Sequence, residues 1–251
     1  MVATPAWPPA SLPRLYVDRQ LADNAPLVLD GAAANYLGNV LRLGVGAQLK
    51  LFDDRTGEWL AEIAEPGKKR LSLRVVRRLR PREPVPDLWL LFAPIKRGRI
   101  DWLVEKATEL GVARLVPVLT GRTIVDRVNI DRLRAHAIEA AEQCERTALP
   151  ELADPAKLDA LLRNWPADRT LFFADERGGT PLAEAAVPGP AAILIGPEGG
   201  FTDAERAAVG AVPAARPISL GPRILRADTA ALAAIALWMA KAGDWSHSVA
   251  R

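Results

Sequence analysis

Cysteine and histidine are nearly absent from this chain: Cys144 is the single cysteine in 251 residues, and His136 and His247 are its two histidines. One thiol forms no intrachain disulfide and no thiolate cluster, and two imidazoles are too few for a multi-histidine zinc site, so no metal centre is expected. A Ser-His-Asp hydrolase is disfavoured as well, because neither histidine accompanies a nucleophile-elbow motif. Long hydrophobic runs are missing too. Nothing approaches the roughly 20 consecutive apolar residues that span a bilayer. The opening stretch MVATPAWPPASLPRLYV has no basic segment followed by an apolar one, so a cytoplasmic protein without a membrane partner is expected. No G-x-x-x-x-G-K-[ST] run supports a P-loop. GVGAQL, residues 44–49, lacks the third glycine and the βαβ setting of a dinucleotide site.

What is present is a chain with 49% hydrophobic and 25% charged residues, the balance of a globular protein with one large or two modest domains. The net charge is only +3, yet eight of the fifteen positions in KKRLSLRVVRRLRPR, residues 68–82, are Lys or Arg. Such a run is either a solvated strand face or an electrostatic footprint for phosphates. Residues 1–80 read as a β-rich domain, with short alternating segments RLYV, PLVLDG, GAQLKLFDDRTGEWLAEI and LSLRVV. Asp54 to Gly57 forms the expected hairpin turn between LKLF and EWLAEI, and AANYLGNVLRL is the one short helix.

PREPVPD, residues 81–87, puts three prolines in seven positions and opens a second domain, 81–251. There LWLLFAPI, RLVPVLT, TLFFA, AAILI and RPISL read as strands covered on both faces. DWLVEKATELGV reads as a helix ending at Gly111. NIDRLRAHAIEAAEQCER is a second, capped by Asn129 and carrying an apolar stripe at Ile130, Leu133, Ala137, Ala141 and Cys144. DPAKLDALLRNW is a third, capped by Asp154 with Pro155 in its first turn. The alternation predicts an α/β domain with a mostly parallel sheet, in which ligands sit beyond the carboxyl ends of the strands.

Two loops occupy such positions. In GPEGGFTDAE, Gly196, Gly199 and Gly200 leave backbone open, and Thr202 and Glu205 have the spacing of a capping box. In SLGPRILRADTAALAAIALW, Arg223 and Arg226 flank Ile224 and Leu225 ahead of a very apolar helix that Asp228 or Thr229 could cap. Two arginines around two aliphatics suit a site for a ligand with both apolar and anionic parts.

Together these loops resemble the two signature loops of the RsmE-type methyltransferases of the SPOUT superfamily, which methylate N3 of a uridine in small-subunit (16S) ribosomal RNA. KRGRIDWLVEKATELGV, EAAEQCER and YLGNVLRL add to the likeness, which covers nearly the whole chain. The resemblance implies a trefoil-knotted, mostly parallel sheet with helices on both faces, plus a small N-terminal PUA-like β-barrel that binds RNA. It also implies S-adenosylmethionine as cofactor, 16S ribosomal RNA or the small ribosomal subunit as partner, and a homodimer. On this view Ile195, Gly196, Gly199 and Gly200 line one side of the cofactor, Leu220, Gly221 and Leu225 close the other, and Leu171, Phe173 and Ala174 supply a third edge. Arg226, then Arg223, are the expected catalytic cations, and Glu198 a base or an orienting group. Arg14, Arg42, Lys96 and Arg99 are expected RNA contacts. Two departures stand out: Asn35 where family members commonly carry histidine, and Ala227-Asp228 where a Thr-Glu pair is frequent. A SPOUT enzyme acting on another RNA position, a catalytically silent ribosome-assembly factor and a metabolic α/β enzyme with a nucleotide-like ligand are the alternative readings.

Overall fold

The computed structural model describes residues 12–67, 70–96, 98–125 and 127–245; Lys68, Lys69, Arg97 and His247 lie outside the described residues. The chain divides into two compact units. The first takes the described residues up to Pro84 together with Ala141–Ala148, and the second takes Val85–Ala140 and the rest from Leu149.

The first unit holds a five-stranded sheet of β1 (Arg14–Tyr16), β2 (Pro26–Asp30), β3 (Gln48–Phe52), β4 (Glu58–Glu65) and β5 (Arg70–Arg80), in the order β1-β3-β4-β5-β2. β1 runs parallel to β3 and the other pairs are antiparallel. Alternation along β5 sends Leu71, Leu73 and Val75 into a core with Leu27, Leu49 and Ile63 and turns Arg74 outward, and beyond a register shift against β4 Arg77 and Arg78 are both exposed. The β3–β4 turn forms where expected. The Asp53 carboxylate accepts from the backbone N–H groups of Arg55, Thr56 and Gly57 and from that of Leu21. Asp54 (φ 57°) and Gly57 (φ 112°) take the left-handed angles. The helix expected over AANYLGNVLRL is two short pieces, α1 (Gly31–Asn35) and a π-helical turn at Tyr36–Val40, where Leu41 N–H donates to the Tyr36 carbonyl five residues back.

The segment Ala141–Ala148 is bonded throughout to this unit. Arg14 pairs with Glu58 at 2.6 Å, both side chains 5% exposed, and donates to the carbonyls of Ala141 and Arg146. Tyr16 N–H donates to Glu142, Lys50 pairs with Glu145, and Glu83 and Thr147 bond reciprocally. Burial alone would push the Glu58 carboxyl up, but hydrogen bonds from Arg80 and Arg14 outweigh it and hold the group below the usual carboxylate range.

The second unit is a parallel sheet built in chain order from β6 (Leu88–Phe92), β7 (Arg114–Leu119), β8 (Glu151–Leu152), β9 (Ala156–Lys157), β10 (Thr170–Ala174), β11 (Thr180–Pro181), β12 (Ala191–Ile195) and β13 (Ala215–Ser219). The strand order is β11-β13-β10-β12-β6-β7-β8, with β9 also on β7. Successive residues of the central strands feed two cores. Leu90, Phe92, Phe172, Ile193 and Ile195 face one, with α2 (Arg99–Glu109), α3 (Ile130–Gln143), α5 (Leu182–Ala185) and α7 (Ala227–Ala242). Leu91, Leu171, Phe173, Ala192 and Leu194 face the other, with α4 (Leu158–Arg163) and α6 (Asp203–Gly210). Each large aliphatic or aromatic so buried contributes about 1.5–3 kcal/mol, which is why strands covered on both faces read as continuous apolar runs.

Three local expectations differ from the structure. α4 starts at Leu158 rather than behind Asp154, because Ala156 and Lys157 first pair with Val118 and Leu119 of β7. Cys144 lies past the end of α3 and is exposed, so the buried stripe is Leu133, Ala137 and Ala141. α7 is capped by Arg226 in extended geometry, which puts Asp228 inside the first turn instead of at the cap. Among the described residues no helix is long and apolar enough to cross a membrane, and no group of three or more His, Cys, Asp or Glu could hold a metal ion.

Candidate active site

The carboxyl ends of β10, β12 and β13 open into one cavity of about 890 Å³ in the second unit. Residues 196–201 form its first wall. Gly196 directly follows β12, and a Cβ there would lie 3.0 Å from the buried ring of Phe201. The chain then turns through Pro197–Gly200, closed by Gly200 N–H to the Pro197 carbonyl at 2.8 Å. Gly200 adopts φ +66°, and a Cβ on it would meet Glu176 Oε1 at 2.8 Å. The Gly199 carbonyl accepts from Arg122 at 2.6 Å. The expected capping box is formed: Thr202 Oγ1 accepts from Glu205 N–H, and the Glu205 carboxylate accepts from the N–H groups of Thr202 and Gly121. Burial pushes the Glu205 carboxyl up, and these hydrogen bonds, helped by nearby Arg122, bring it below its ordinary value.

The second wall is residues 218–227. Gly221 turns the chain at φ +106°, and Leu220 and Leu225 pack against the core from the cavity side. Arg223, Ile224 and Arg226 are exposed, Ile224 at 93%. Neither arginine has a carboxylate partner among the described residues, and Lys96, exposed on the same rim, has none either.

The third edge is Ala174, Asp175, Glu176 and Gly178. Leu171 and Phe173, assigned to the cofactor from sequence, are buried in the core on the other face, because strand alternation turns them away from the cavity. The acidic pair beside Ala174 was missed. Arg206 of α6 holds it, bonding Asp175 at 3.0 Å, Glu176, and the Phe201 carbonyl at 2.5 Å. The available signal was its place immediately after an apolar strand.

Arg99, at the start of α2, donates to Glu198 at 3.0 Å and pairs with Asp228 at 2.7 Å. Arg14 is enclosed by Glu58, two carbonyls and the ring of Phe52, 3.9 Å from its guanidinium carbon, so it is a structural cation of the first unit and not an RNA contact. Arg42 is exposed with φ 53° at the end of the π-helical segment.

A family model described as an RNA methyltransferase domain matches residues 81–239, and one described as an RNA methyltransferase PUA domain matches residues 29–76. The ribosomal RNA small subunit methyltransferase E of Rickettsia conorii is 34% identical over 234 residues, covering 89% of this chain and 93% of that protein. This chain belongs to the ribosomal RNA small subunit methyltransferase E family. Among solved structures, the family member from Neisseria gonorrhoeae bound to S-adenosyl methionine is similar with a TM-score of 0.85 and 27% identity, covering 93% of this chain and 99% of that one. A methyltransferase from Legionella pneumophila in complex with the cofactor SAM matches with a TM-score of 0.83 and 32% identity over the same shares. In this methyltransferase E chain the walls described above are consistent with such a ligand. Gly196 and Gly200 let the first wall pack closely on the Phe201 ring and the Glu176 carboxylate, and aliphatics at Ile195, Leu220 and Leu225 offer an apolar seat for a purine.

Proposed function

We propose that this chain transfers a methyl group from S-adenosylmethionine to N3 of a uridine in 16S ribosomal RNA. The coarser part, S-adenosylmethionine-dependent methylation of small-subunit ribosomal RNA, follows from family membership. The finer part rests on one observation: Arg223 and Arg226 stand at the mouth of the cavity without a carboxylate partner among the described residues. Cations left unpaired there are available to a polyanion and to an anion forming on a base.

Ile195, Gly196, Gly199, Gly200, Leu220, Gly221 and Leu225 would hold the cofactor, with Ala174 at the edge. The bound cofactor supplies an electrophilic methyl on a sulfonium. Uridine N3 carries a proton and is a weak nucleophile until that proton passes to solvent water, when charge moves to O2 and O4; N3 then takes the methyl and leaves the sulfur as a neutral thioether. Arg226, with Arg223 as the second candidate, stabilises that charge, an effect typically of about 10²–10³ in rate for one fixed donor. Glu198, bonded to Arg99, orients the first wall rather than acting as the base. Lys96 and Arg42 position phosphates, which adds affinity and salt dependence rather than specificity. A homodimer, a knotted threading of the sheet and a cytoplasmic location beside ribosomes belong to the same reading.

The test gives purified protein, S-adenosylmethionine and unmodified small subunits, followed by digestion and mass spectrometry of the nucleosides. The expected product is 3-methyluridine, reduced at least about 100-fold in rate by Arg226→Ala. A different methylated nucleoside would keep the enzyme and move the target; none, with cofactor bound, would support a silent RNA-binding role.

A further inference from the structure

Arg99 does something the motif loops do not explain. It is the first residue of α2, and its side chain joins the first wall to the helix that follows the second: one terminal nitrogen lies 3.0 Å from Glu198, in the first wall, and the other 2.7 Å from Asp228, in the first turn of α7. The Asp228 side chain is 7% exposed and also accepts from the Thr229 N–H, so it is fixed in place. Glu198 is exposed and sits in a turn made of glycine and proline. Among the described residues no other side chain links residues 196–200 to residues 219–228 through hydrogen bonds or ion pairs.

We infer that Arg99 is a positioning residue that clamps the two cavity loops together and sets their spacing before the cofactor arrives. The inference rests on the methyltransferase reading only for the identity of the ligand. The planar guanidinium offers two separate nitrogens to two carboxylates, which a lysine cannot do with one ammonium. With the clamp in place the walls are ordered beforehand; without it the ordering has to be supplied at binding, and affinity falls. A buried Asp228 left without its cation would also seek another partner, loosening the start of α7. Arg99 is thereby committed inside the cavity, in contrast to the RNA contact expected from its basic neighbourhood.

Two readouts test this on the full chain. In the first, amide hydrogen exchange of the cofactor-free protein is followed in residues 196–202 and 220–229. Arg99→Ala should speed exchange in both segments, and Arg99→Lys should speed it less. Exchange unchanged in either segment overturns the clamp whether or not the protein proves to be a methyltransferase. In the second, calorimetry measures S-adenosylmethionine affinity. Arg99→Ala is expected to weaken binding about tenfold or more, and Asp228→Asn to weaken it with no further loss in the double variant, the non-additivity of groups that share one contact. RNA affinity should stay within about twofold. Unchanged cofactor affinity with weaker RNA binding and a salt slope lower by about 1 would make Arg99 a phosphate contact and overturn the inference. Additive losses in the double variant would overturn it as well. A wild-type protein that takes up no S-adenosylmethionine would fail the functional reading, while the exchange experiment still decides the clamp.

Discussion

The two walls of the cavity are built from similar turn residues yet held in opposite ways. The first, residues 196–202, is braced at nearly every position: a turn bond at Gly200, Arg122 on the Gly199 carbonyl, Arg99 on Glu198, and a capping box at Thr202. The second, residues 220–226, has Gly221 N–H on the Ser219 hydroxyl and then runs out with Arg223, Ile224 and Arg226 exposed. Bracing serves a ligand that must always be gripped in one pose. Exposed, unpaired groups serve a partner that arrives from outside and brings its own charge.

Substitutions should split along that line. The largest effect on folding is expected from Gly196→Ala, whose methyl would press on the buried Phe201 ring at 3.0 Å. Overpacking of this kind costs about 1–3 kcal/mol, and both thermal midpoint and cofactor affinity should fall. An unchanged midpoint would mean the first wall yields easily. Thr202→Ala removes half of the capping box and should cost about 1 kcal/mol in denaturant titrations. Acid should act on the same wall through Glu205. Its folded carboxyl titrates below the ordinary value, so its contribution is complete above the usual range near 4 and is lost as pH falls through the lower folded value. Stability differences between wild type and Glu205→Gln should therefore be constant from pH 7 to about 5 and shrink below about 4. Ile224→Ala, at a side chain 93% exposed, should move stability by no more than about 0.5 kcal/mol while lowering RNA affinity. A matching loss of stability there would erase the contrast between the walls. Arg223→Ala should be smallest on folding, visible mainly as a salt slope for RNA binding reduced by about 1.

Much of this was legible in the chain. Apolar strands ending in GPEGG and in LGPRILR pointed to one cavity because a parallel sheet gathers its carboxyl ends, and the Thr202–Glu205 spacing gave the start of α6. Other features had no local signal. Strand alternation hides Leu171 and Phe173 from the cavity although both sit in a strand that borders it. The Asp175–Arg206 pair joins residues 31 apart and the Arg99–Asp228 pair residues 129 apart. Arg14 looked like a surface cation because its partners, Glu58 and the carbonyls of Ala141 and Arg146, are scattered along the chain. Charge read along a sequence shows where cations are dense, while a fold decides which of them are already spent on carboxylates.

The segment Ala141–Ala148 carries a consequence for how the chain is made. Residues 12–67 and 70–84 supply the sheet of the first unit, but part of the bonding of Arg14, Tyr16, Lys50 and Glu83 comes from Ala141, Glu142, Glu145, Arg146 and Thr147. A fragment ending at Pro84 would lack the carbonyls of Ala141 and Arg146 that complete the bonding of buried Arg14. A gene cut at the proline-rich connector would separate a sheet from its own closing piece, so the residues up to Pro84 are not a self-sufficient module.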